Sequence, residues 1–85
     1  MRYNYEPDVL TALCGHGLMP GPHTAPDFVR KALSDLYRYE IRRLRQSFLR
    51  GEIPNKTDYS VHVIALRRKY WLLSLPTAHW ARIDA

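Results

Sequence analysis

The chain has 85 residues, enough for one domain with a modest core and too few for a cleft between two domains. Apolar residues make up 46% of it, close to the globular average, which favours a folded chain over a disordered one. Thirteen cations against eight acids give a formal +5, which permits anionic partners without selecting one. The single cysteine, Cys14, rules out an internal disulfide framework. Met1-Arg2-Tyr3-Asn4-Tyr5-Glu6 has no apolar core of a signal peptide, and no run approaches the length of a spanning helix. A reducing, cytoplasmic setting is the default expectation.

Glu6-Pro7-Asp8 is a helix start, with Pro7 at the first helical position and Asp8 near the positive end of the dipole. The first helix is predicted over about residues 7–16, with Val9, Leu10, Leu13 and Cys14 along one side. Gly17 and Leu18 supply a Schellman ending. Pro20 and Pro22 stiffen the connector that follows, where a helix is unfavourable. Thr24 and Asp27 approximate a capping box for the next helix.

The second helix is predicted over about 25–50, closed by Gly51. Val29, Leu33, Leu36, Tyr37, Ile41, Leu44 and Phe48 share a broad apolar face, and Lys31, Arg38, Arg42 and Arg45 fall opposite. From Pro26 to Arg50 seven cations face three acids, which places +4 of the net charge on one element. Glu40 stands out because it sits inside the apolar stripe, between Leu36 and Leu44. A carboxylate there is a buried polar candidate that needs a partner: Arg43, a tyrosine or a cation of the third helix.

Leu36-Tyr37-Arg38, followed by Phe48, resembles the LYR-motif family of small, basic helical assembly factors. The resemblance covers those few residues. In that family the tripeptide lies near the start of the first helix, whereas here it is mid-helix behind a separate short helix. The family's partner is therefore not carried over.

The third helix is predicted over about 57–73, capped by Asn55 or Thr57. Tyr59, Val63, Leu66, Tyr70 and Leu73 form a stripe that can pack on the second helix as an antiparallel αα-hairpin. Ile64 and Trp71, seven apart, lie on another side, with Val61 and Leu72 near them and Arg67 and Arg68 flanking. This second strip either meets the first helix and the tail or docks a partner. The tail, 74–85, is either a short final turn or an extended strap. The expected fold is thus all-α: a small three-helix domain, 1–85, built on a long hairpin.

No catalytic constellation emerges. Cys14, His16 and His23 lack a zinc-like spacing, and the expectation is a thiol buried at a helix end plus loop histidines. The glycines form no phosphate loop. The residues therefore point to a protein-interaction module without cofactor, metal or catalytic site. Its partner-binding candidates are Arg38, Arg42, Arg45, Ile64, Arg67, Arg68 and Trp71. The partner is a protein, an acidic one fitting the charge, or a second copy. The alternative is sequence-nonspecific nucleic-acid binding through the basic face of the second helix.

Overall fold

A computed structural model describes residues 1–84. The element order is β1 (Arg2–Tyr5), α1 (Pro7–Gly15), α2 (Pro26–Leu49), α3 (Lys56–Lys69), two 3₁₀ turns (Trp71–Ser74 and Thr77–His79) and β2 (Ala81–Asp84). The two strands correct the all-α expectation: the chain is mostly helical but carries a two-stranded antiparallel sheet. Arg2 pairs with Asp84, Tyr3 with Ile83, Asn4 with Arg82 and Tyr5 with Ala81. Each strand is too short to announce itself alone, and its partner lies at the other end of the chain.

The first two helices fall within a residue of their expected spans, and glycines explain their endings. Gly17 and Gly51 have φ of 78° and 80°, the left-handed region open to glycine. Leu18 N–H reaches Leu13 O at 2.9 Å, and Glu52 N–H reaches Ser47 O at 3.0 Å, so both ends are Schellman closures. Asn55 caps α3, its Oδ1 accepting from Asp58 N–H at 2.9 Å.

Two local expectations fail for physical reasons. Thr24 does not cap α2: Ala25 occupies the cap position, and Thr24 Oγ1 accepts from Gly21 N–H within the connector at 3.0 Å. Asp27 instead accepts from Thr77 at 2.8 Å. The third helix stops at Lys69 rather than running to 73. His16 Nε2 meets the Lys69 carbonyl at 3.0 Å and Leu73 N–H bonds Tyr70 O, so the chain passes into a 3₁₀ turn, and Arg30 of α2 donates to the carbonyls of Leu73 and Leu75 at 2.8 and 2.9 Å. Trp80 Nε1 also donates to Leu75 O, at 3.1 Å. Leu72, expected beside the outer strip, is thereby turned into the core.

The core occupies one end of the molecule. Tyr5, Val9, Leu13, Val29, Leu33, Tyr70, Leu72, Trp80 and Ala81 form one buried cluster. Trp80 is its largest fully buried side chain, so the tail, a short turn at Thr77–His79 followed by the extended β2, is a core element. Beyond Leu33 no residue of α2 is buried, and α3 has none. The outer part of α2 and α3 form an arm projecting from this head, joined to it where Tyr37 and Leu66 pack against the cluster. The molecule measures 53 × 17 × 16 Å, and its radius of gyration is 15.5 Å. A compact chain of this length has about 12 Å.

Candidate interaction surface

The arm is held by a single seam. Phe48 meets Tyr59 with ring centroids 4.8 Å apart, and Tyr37 meets Tyr70 edge-on at 5.2 Å. Ile41, Leu44, Val63 and Leu66 are half-buried between these pairs. Two helices give each other one face, so the other apolar positions remain open. Leu36, Tyr39, Leu49, Val61, Ile64 and Trp71 are exposed. Ile64 and Trp71 keep 49% and 43% of their surface, so neither α1 nor the tail covers this strip. Arg68 is exposed in the same row, one helical turn from each.

Arg38, Arg42 and Arg45 are exposed along α2, and none makes an ion pair among the described residues. They border apolar surface more closely than an opposite face implies. With Tyr37 and Ile41 they line a shallow hollow of about 300 Å³. A second hollow of about 300 Å³ adjoins it at Tyr37 and is lined by Arg67, Tyr70, Leu73 and Ser74. Together they form a groove along one side of the hairpin, with an apolar floor and four arginines at its rim. The floor residues Tyr37, Ile41 and Leu73 escaped the sequence reading because the seam stripe already accounted for them. Their flanking position on the wheel was the available signal.

Glu40 lies across the seam from this groove, and its placement corrects the buried expectation. Its side chain is 31% exposed, and no charged residue of the described chain is buried. Lys69 Nζ donates to it at 3.1 Å, and the Tyr70 hydroxyl donates a short hydrogen bond. Partial burial raises its pKa, but the hydrogen bonds from Tyr70 and Lys69 and the charges of Lys69 and His16 outweigh that and hold it below 4.5. Burial, followed by the hydrogen bond and charge of Glu40, pushes the Tyr70 hydroxyl above its ordinary 10.0. His16 completes the cluster. Its ring packs on Tyr70 at 4.4 Å, and its Nε2 meets the Lys69 carbonyl at 3.0 Å. Three helices thus converge where arm meets head, and the carboxylate serves as the joint between them.

Cys14 is exposed rather than buried. Among the described residues no three His, Cys, Asp or Glu side chains come together as a metal site. His23 instead bonds the Met1 carbonyl at 3.2 Å. A hollow of about 550 Å³ lies at the head between β1 and the proline connector. Its two charges, Arg2 and Asp84, cancel, and the arm's cations are remote from it. Among the described residues no helix is long and apolar enough to cross a membrane.

No family model matches the chain, and neither a curated protein nor a solved structure does. The resemblance in Leu36-Tyr37-Arg38 therefore rests on those residues alone.

Proposed function

We propose that the chain is a non-catalytic protein-interaction module, an accessory subunit, adaptor or assembly factor whose arm is completed by a partner. The observation that carries this reading is the arm's lack of any buried residue in α3 or beyond Leu33 in α2. Helical folds normally bury each apolar stripe in a bundle of three or more helices. Here the outer strip of Val61, Ile64 and Trp71 remains uncovered, with Arg68 in the same row. Trp beside Arg is the composition enriched at binding hot spots.

Photo-crosslinking from position 64 or 71 in a native lysate tests the reading. One polypeptide should be captured at high salt, and Trp71→Ala with Ile64→Glu should lose it while leaving helicity unchanged. The second reading is sequence-nonspecific nucleic-acid binding through Arg38, Arg42 and Arg45, supported by their lack of ion pairs. It requires affinity for random duplex that falls about fortyfold between 50 and 200 mM salt for three phosphate contacts. That result, with no captured polypeptide, overturns the first reading.

A further inference from the structure

The charge is divided along the same line as the core. Residues 38–69 carry nine cations and three acids, or +6, whereas the remainder carries four cations and five acids, or −1. The arm is therefore a strongly cationic lever on a nearly neutral head. In its groove four of these cations gather around one apolar floor. Tyr37, Ile41 and Leu73 form the floor, and Arg38, Arg42, Arg45 and Arg67 form the rim with no acid among the lining residues.

We propose that this groove binds an acidic amphipathic helix of a partner protein. The inference rests on the interaction-module reading and names the partner's chemistry. Arg38, Arg42 and Arg45 are spaced by four and three residues, so they form a row rising about 10.5 Å along α2. A helix lying along the groove repeats that interval with carboxylates at i, i+4 and i+7. Its apolar residues on the adjoining face then cover Tyr37, Ile41 and Leu73, giving the hairpin the third helix it lacks. Guanidinium forks bind carboxylates in a bidentate manner, which a point charge does not reproduce.

Two other occupants fit less well. A second copy brings two +6 arms together, and like charges oppose that contact. A nucleic acid offers phosphates for the rim but wants exposed ring faces on which its bases stack. Tyr37 is half-buried and held edge-on against Tyr70.

The test titrates the full chain with two synthetic peptides of about 20 residues, long enough to span the groove as helices. One carries Glu at i, i+4 and i+7 beside a leucine stripe, and the other has the same composition with the Glu positions scrambled. The patterned peptide should bind at least about tenfold more tightly, three weak rim contacts being enough for that. Replacing all three residues (Arg38→Lys, Arg42→Lys and Arg45→Lys) should erase most of the discrimination while preserving charge and circular dichroism. Equal binding of the two peptides, or discrimination unaffected by the lysine variant, overturns the proposal. Random duplex binding more tightly than the patterned peptide at the same salt overturns it in favour of phosphate. Sedimentation showing a dimer that excludes the peptide overturns it in favour of a second copy. If the peptides fail while lysate capture still depends on Ile64 and Trp71, the groove inference falls and the module reading survives. Loss of both removes both.

Discussion

Glu40 accepts from Lys69 and Tyr70 at the point where α1, α2 and α3 meet, and its protonation weakens all of these contacts. Its folded pKa lies below 4.5, so its contribution to stability is present in full above 4.5 and is lost as pH falls through the folded value. Glu40→Gln should lower stability at neutral pH, and denaturant unfolding curves of the two proteins should converge in acid. A constant gap from pH 7 to pH 3 would count against this role. Tyr70 has the opposite sign: its raised pKa adds stability below 10.0 that disappears as pH rises through the folded value. Tyr70→Phe removes the donor and should cost about 1 kcal/mol. It should also return Glu40 towards its ordinary pKa, which a carboxylate-resolved NMR titration would read. The sequence exposed Glu40 as an anomaly because a carboxylate interrupts the apolar stripe. The expected kinds of partner, a tyrosine and a cation of the third helix, are those found in Tyr70 and Lys69, whereas the choice of these two and the approach of His16 depend on tertiary packing.

At the scale of elements, local signals served well where the backbone alone decides the outcome. Gly17, Gly51 and Asn55 each act within a few residues, and each marks its boundary. Gly51→Ala forces a side chain into φ of 80° and should cost about 1 kcal/mol or more, measured by thermal unfolding. Open space surrounds its added methyl group, so any loss comes from the backbone and not from a clash. Signals failed where a distant group intervenes. Tyr70 and Leu73 continue the helical period, yet His16 Nε2 meets the Lys69 carbonyl, Leu73 N–H turns to Tyr70 O, and Arg30 binds the carbonyls of Leu73 and Leu75 beyond the helix end. Arg30 enters the sequence only as one of the seven cations of the second helix, and its long reach makes it a clamp on the tail. The strands were missed for the same reason. Alternation at Tyr3 and Tyr5 is too brief without Ala81 and Ile83 opposite them.

For the whole molecule, head and arm should differ in stability. Leu33 is fully buried in the head, and Leu33→Ala should cost about 2–5 kcal/mol. Leu44 is half-buried in the arm seam, so Leu44→Ala should cost less. Hydrogen exchange should rank the elements in the same order: amides around Leu13 and Leu33 protected longest, those of α3 opening earlier. Uniform protection along α2 would contradict the division. The groove shares this scale. Its arginines were readable as a cationic face, but its apolar floor exists because α3 ends beside Tyr37, which no window of sequence displays.

The pairing of Arg2 with Asp84 has a mechanical consequence. The two strands run antiparallel with those residues at one end of the ladder and Tyr5 with Ala81 at the other. Tension applied across residues 2 and 84 therefore loads the rungs one after another instead of all together, like a zip drawn from its open end. The last rung to part is the one beside Trp80, after which the core loses its largest side chain. Tension applied between the arm tip and residue 84 bypasses that sequence. The head should thus yield at low force when drawn by its two ends, and an optical-trap comparison of the two attachment geometries would measure the difference.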